Sequence, residues 1–329
     1  MKRLWAIFLA RNLEFFRDRG TFFWNLFFPL FIIFGLYFAF SGNKSVAYKV
    51  GTVGEVRDFD FMRFKYLQFV PYEGLDNAMP KLTHHQIDMI IDFNQNAYYI
   101  NELAVNGYLI EKILSSDTSA TLERKTVTGR RIRHIDWFVP GVIGMNIMFG
   151  CLMGVGFVIV RYRKNGVLKR FKATPLKAIE FIIAQMLSRF FIMVFMTVVL
   201  YVGTNLFLHY LMLGSYLDLM ITTAVAIFCL ISLGLLFSTR IKSEEFAGGV
   251  INLVIWPMMF LSGIWFSMEG TPRAMRVISQ IFPVTHFLAA ARQIMLDGAT
   301  LLDVMDHLGV LLAMTAVFLT TAAFIFKWE

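Results

Sequence analysis

RYRKNGVLKRFKATPLKA, residues 161–178, decides how the rest of the chain is read. It lies between two long apolar runs and carries Arg161, Arg163, Lys164, Lys169, Arg170, Lys172 and Lys177 with no acid. Short loops dense in Lys and Arg stay on the cytoplasmic side of a membrane. The stretch therefore sets the orientation of every flanking segment. Gly166 and the Ala173-Thr174-Pro175-Leu176 turn give it shape as well as charge. It reads as a short interfacial helix followed by a docking turn that faces a cytoplasmic partner.

The composition supports a membrane setting. Of 329 residues, 57% are hydrophobic, with 35 Phe and 19 Met, and mean hydropathy is +0.61. Charged residues make up 16%, against roughly 25% in an average soluble protein. A soluble domain cannot bury that much apolar surface, so the class is integral membrane protein. The net charge of +8 would suit nucleic acid, but the cations cluster beside apolar runs, so a membrane surface is the better partner. Cys151 and Cys229 both sit inside apolar runs and read as small core residues. The N-terminal run has no small-residue cleavage site and reads as retained.

Residues 1–20 predict an amphipathic interfacial helix. Trp5, Phe8, Leu9, Leu13 and Phe16 share one face, and Arg3, Arg11, Glu14, Arg17 and Asp18 the other. A first span follows at 21–41, bent at Pro29. Residues 42–136 contain no span-length apolar run and predict a small α/β domain. Its strands are expected at 47–53, 87–93 and 97–100, its helices at 75–82 and 105–114. Residues 137–329 predict five more spans, near 137–160, 178–208, 217–238, 246–266 and 307–326. Between the last two, 268–300 predicts short helices broken at Pro272, Pro283 and Gly298, partly dipping into the bilayer. With six spans both termini are cytoplasmic, and residues 43–135 are outside.

Motifs for chemistry are missing. No G-x-x-x-x-G-K-[ST] occurs, so no phosphate-cradling loop is present, and neither G-x-S-x-G nor H-E-x-x-H is found. His84, His85 and Asp88 read as solvated surface rather than as metal ligands. Arg189, inside a span, is either paired and functional or snorkelling to an interface. Glu244 and Glu245 suit a helix N-terminus and can pair with loop cations. Asn146, Asn205 and Asn252 read as hydrogen-bonding glue between helices.

Two local signatures, in order, resemble the permease subunit of an ABC type-2 exporter. One is Gly166-Val-Leu-Lys-Arg-Phe-Lys-Ala-Thr-Pro-Leu176. The other is Phe260-Leu-Ser-Gly263, then Pro272, Phe282-Pro-Val-Thr-His286 and Ala291-Arg292. The likeness covers nearly the whole chain. It departs where family members often carry a Pro near position 267; here the run is Phe266-Ser267-Met268-Glu269. The large external module resembles the multidrug, lipid and peptide-antibiotic branch.

The resemblance implies a second permease chain, two separate ATPase subunits holding ATP and Mg, contact with membrane lipid, and in some members a periplasmic adaptor. This chain would carry no cofactor and be no enzyme itself. It would sit in a bacterial inner membrane and move a drug, lipid or peptide antibiotic outward. Coupling would fall to Gly166, Arg170, Lys172, Thr174, Pro175 and Leu176, with Trp5, Phe8, Leu13 and Phe16 anchoring the interfacial helix. Arg189, Asn252, Glu269 and Arg292 are candidates for a polar pathway or gate. A membrane-embedded enzyme or a channel without an ATPase is the alternative. The first needs converging polar groups, and the second has no use for a basic docking loop.

Overall fold

The computed structural model describes residues 2–41, 48–55, 60–83, 87–102, 104–115, 122–128, 133–239, 241, 243–265 and 272–325. The chain divides into two compact units: Met1–Phe38 with His134–Glu329, and Ala39–Arg133. In the first, α1 (Lys2–Arg17) and α2 (Arg19–Ser41) are separated by one non-helical residue, Asp18.

The second unit is a five-stranded mixed sheet in the order β2-β1-β3-β4-β5. The strands are β1 (Tyr48–Val53), β2 (Leu67–Tyr72), β3 (Met89–Asp92), β4 (Ala97–Asn101) and β5 (Glu123–Val127). β1 runs parallel to β2 and β3, β3 antiparallel to β4, and β4 parallel to β5. Helices α3 (Leu75–Thr83) and α4 (Val105–Ser115) supply a core on each face. Ala78 and Leu82 of α3 pack with Ile90 and Tyr99, and Ile110 and Leu114 of α4 with Met89, Ile91 and Ile100. All four β3 residues are buried because both faces of that strand are covered. The two strands that the pattern did not predict are the sheet edges. β2 carries Pro71, tolerated only where a ladder hydrogen bond is not needed, and β5 begins Glu-Arg-Lys.

The remaining helices belong to the first unit: α5 (His134–Lys164), α6 (Val167–Lys172), α7 (Ala178–Leu208), α8 (Tyr216–Ser238), α9 (Glu244–Leu261), α10 (Arg273–Ser279), α11 (Pro283–Arg292) and α12 (Met305–Ile325). Among the described residues, α5, α7, α8, α9 and α12 are long and apolar enough to cross a membrane. α2 is a 23-residue helix whose described apolar stretch, Asn25–Tyr37, is shorter. At 31 residues, α5 is about 46 Å long, well beyond the ~30 Å of hydrocarbon in a bilayer. α5 and α8 are mostly buried, and α9 and α12 mostly exposed, so the first pair is the centre of the bundle.

Small residues set how closely the centre packs. A Cβ on Gly234 of α8 would stand 3.1 Å from the carbonyl oxygen of Cys151 and 3.2 Å from Cα of Leu152, both on α5. Transmembrane helices gain mainly from packing, so close backbone approach through glycine replaces the hydrophobic drive available in water. The helix ends follow local rules. Ser243 caps α9, its hydroxyl accepting from the Phe246 N–H, and Pro283 opens α11, where a missing N–H costs nothing. α11 is buried along most of its length. It runs into a π turn, Gln293–Asp297, that Gly298 ends at φ 73.

One boundary differs from expectation. Arg161, Arg163 and Lys164 are not loop residues; they form the last turn of α5. Cations there complement the helix dipole.

Candidate functional site: a coupling face and the cavity behind it

The basic stretch turns from α5 into α6 at Gly166, whose φ of 69 lies in the left-handed region that favours glycine. α6 follows. Leu168 is fully buried while Lys169, Arg170 and Lys172 stay exposed. The turn after it is fastened from within. The Thr174 N–H and hydroxyl both donate to the Phe171 carbonyl, at 3.0 and 2.7 Å. The Phe171 ring packs on Phe181 with centroids 5.6 Å apart. Pro175 fixes its own φ and restricts Thr174 to extended geometry. The Lys177 N–H donates to the Glu180 carboxylate at 3.0 Å, starting α7. Thr174 and Pro175 are thus exposed but rigidly presented, and Leu176 is half-buried.

Helix α1 holds this turn, a link that the sequence did not reveal. Arg3 donates through Nη1 to the Pro175 carbonyl at 2.6 Å. Further along, Glu14 accepts from Arg11 (2.6 Å) and from the Tyr162 hydroxyl on α5 (2.8 Å). Against α7, Phe8 meets Phe191 edge-on at 6.2 Å and Phe16 meets Phe195 at 5.7 Å. The expected apolar face is divided. Trp5, Leu9, Leu13 and Phe16 remain exposed, while Phe15, absent from the expected face, is buried with Ile192 and Met196.

Arg163, one of the seven cations of the basic stretch, does not face outward. Instead it turns inward and donates to the carbonyls of Ser238 (3.0 Å), Thr239 (2.8 Å) and Ile241, at and just beyond the end of α8. Next to it, Lys164 pairs with Glu244 at the start of α9, 3.5 Å away. One helix end therefore ties α5, α8 and α9 together.

Behind this face a cavity of about 590 Å³ opens among α1, α2, α5 and α7. Arg11, Glu14, Asp18, Asn25, Asn146, Arg161 and Arg189 are its polar lining. Arg189 does not snorkel. It is 8% exposed, it donates through Nε to the Gly150 carbonyl at 2.7 Å and through Nη2 to the same oxygen, and it lies 5.8 Å from the Phe15 ring centre. Gly154 makes room for it: a Cβ there would stand 2.0 Å from Cζ of Arg189. The Gly150-x-x-x-Gly154 spacing was the available signal for a close helix crossing on α5.

At the other end of α5, Arg292 of α11 stacks 3.7 Å above the Trp137 ring and donates to the Gly263 carbonyl at 2.8 Å. Asn146 donates to the Asn25 carbonyl at 3.1 Å, joining α5 to α2 as interhelical glue. Asn205 instead accepts from the Tyr210 N–H just past its own helix. Asn252 is half-buried on α9, and no side-chain partner for it occurs among the described residues. Glu269, His84 and His85 lie outside the described residues, while Asp88 accepts from the Lys49 N–H at 2.9 Å and from Asn106 at 3.1 Å. Among the described residues no group of three or more His, Cys, Asp or Glu is placed to hold a metal.

Residues 19–324 match the pattern of the ABC-2 family transporter protein. The chain belongs to the ABC-2 transporter family. This ABC-2 protein is an integral membrane protein, and its relatives are transport permeases. It is 26% identical over 249 residues to the inner membrane transport permease YhhJ of Escherichia coli K12, covering 71% of this chain and 64% of that one. Over 182 residues it is 27% identical to the probable multidrug ABC transporter permease YbhR of the same organism, covering 55% and 49%. To the linearmycin resistance permease protein LnrN of Bacillus subtilis 168 it is 24% identical over 176 residues, covering 53% and 46%. The matches thus span about half to two thirds of the length of these relatives.

Proposed function

We propose that this ABC-2 chain is the membrane permease of an ATP-driven exporter that moves an amphiphilic drug, lipid or peptide antibiotic outward across a bacterial inner membrane. Two such chains, or this chain and a second permease, assemble with two ATPase subunits that hold ATP and Mg. α2 serves as the sixth span. Both termini and α6 face the cytoplasm, and Ala39–Arg133 faces outside. A periplasmic adaptor fits this arrangement as a further partner. The names of YbhR and LnrN, multidrug and linearmycin resistance, favour amphiphilic cargo.

The observation that carries the reading is the Thr174-Pro175 turn. It is exposed, flanked by Arg170 and Lys172, bonded internally through Phe171, and clasped by Arg3 from α1. A displacement of the turn would reach α7 through Phe181 and α1 through Arg3. That is what a coupling element needs and what a mere lipid-binding patch does not. Basic residues that only attract anionic lipid contribute about 1 kcal/mol each, whatever their conformation.

The two uses separate in Pro175→Gly, which keeps every charge. With the assembled complex in proteoliposomes, substrate-stimulated ATPase activity should fall several-fold while membrane insertion stays normal. Wild-type stimulation in the variant would remove the turn from coupling.

Orientation has its own test. A cysteine at Asn77 should react with an impermeant maleimide in intact cells, and one at Asn165 only after permeabilisation. The reverse pattern would invert the topology.

A further inference from the structure

Arg189 is a cation buried in the bundle without a carboxylate. It lies about 17 Å along α7 from Ala178, at 1.5 Å per residue. Its hydrogen-bond partner among the described residues is one carbonyl, that of Gly150, which takes the Nε and Nη2 donors together. A guanidinium has five N–H donors and stays charged in proteins. The rest of this fork has no protein acceptor among the described residues, and the side chain lines the 590 Å³ cavity. An intramembrane charge is costly unless something pairs with it.

The cavity's own acids do not meet that need. Glu14 is engaged by Arg11 and by Tyr162. Three arginines, Arg11, Arg161 and Arg189, line the cavity against two acids, Glu14 and Asp18. Apart from Asn25 and Asn146, which bond to each other, its other walls are mainly apolar: Phe28 and Pro29 from α2, Met145, Phe149 and Met153 from α5. From Met145 to Arg161 the lining follows α5 for about 24 Å. A slot with a cationic part and an apolar part matches a molecule with an acidic head and an apolar tail.

We propose that this cavity binds the anionic headgroup, phosphate or carboxylate, of an amphiphile through Arg189, with the tail laid along Phe28, Met145 and Phe149. This deepens the export reading above and rests on it: the cargo taken from the inner leaflet is selected for an acidic head. Arginine suits the task better than lysine, because its planar fork can hold the Gly150 carbonyl with one edge and an oxyanion with another.

The test uses the full chain in nanodiscs of phosphatidylcholine, with dodecyl phosphate and dodecyltrimethylammonium as probes of equal tail. Wild type should bind the phosphate at least about tenfold more tightly, the scale of a charge-assisted hydrogen bond. Arg189→Gln should abolish that preference, and Arg189→Lys should keep part of it. A residue that only pins α7 to α5 would alter thermal stability but not head preference. Should Arg189→Gln fail to fold, the wild-type comparison still decides. Equal binding of the two probes overturns the proposal, as does binding of neither, which would mean that another chain or the closed bundle fills the slot. Doping the discs with phosphatidylglycerol assigns the source. Competition identifies a resident membrane lipid, and its absence identifies cargo; both support the anionic site. Failure of ATP-driven transport with the ATPase present would remove the export reading while leaving the binding result in place.

Discussion

Arg163→Ala should lower the stability of the detergent-solubilised protein by about 3 kcal/mol, because several carbonyls lose a charged donor at once. The Ser238, Thr239 and Ile241 oxygens stand at the end of α8 and all accept from this one guanidinium. Water can replace part of the loss, since Arg163 is only half-buried. Arg163→Lys should recover less than half, as an ammonium cannot spread over the same carbonyls in plane. The expected reading is a fall in thermal midpoint of roughly 6–12 °C for Ala, at about 2–4 °C per kcal/mol. An unchanged midpoint would show that the tie of α5 to α8 does not contribute to stability. Arg170→Ala, an exposed cation two turns of sequence away, serves as the contrast: it should leave stability within about 0.5 kcal/mol.

The other large effect is expected at Gly141→Val. A Cβ at Gly141 would stand 2.5 Å from the carbonyl oxygen of Ile264 and 3.3 Å from its carbonyl carbon. Both are backbone atoms, so no side chain can swing aside. α5 must move away from the turn that ends α9, and that turn carries the Gly263 carbonyl to which Arg292 donates. Overpacking of this kind costs about 1–3 kcal/mol or more. Because the same displacement breaks the Arg292 bond, Gly141→Val and Arg292→Gln should be less than additive when combined. Thermal midpoints of the two single variants and the double variant test this. Full additivity would mean that the Gly141 contact and the Arg292 pin act separately.

The membrane class and most helix bounds were legible because they depend on local composition. The α7 stretch, Ala178–Leu208, is delimited by Pro175 and Lys177 on one side and a loss of apolar continuity on the other, so its limits could be read directly. β3 was visible for the same reason: burial on both faces demands an unbroken Met-Ile-Ile run. β2 and β5 were not, because edge strands need no such run and carry Pro71 or a charged start instead.

What the sequence by itself determined was the membrane setting, the placing of the basic stretch between two apolar runs, the rigid Thr174-Pro175 turn and the family likeness. Each follows from residues close together in the chain: a run long enough to span, a cluster of like charges, a proline that fixes its own torsion. Tertiary structure alone decided what each cation does. Arg163 and Arg170 are seven residues apart and chemically identical, yet one turns inward to bond the end of α8 and the other remains exposed on α6. The difference arises because Arg163 lies in the last turn of α5, within reach of the carbonyls at the end of α8, whereas Arg170 lies on α6 beyond the turn at Gly166. Arg189 is the same lesson inside the bundle. Its burial depends on Gly150 and Gly154 of another helix, about forty positions away, having no side chains to exclude it.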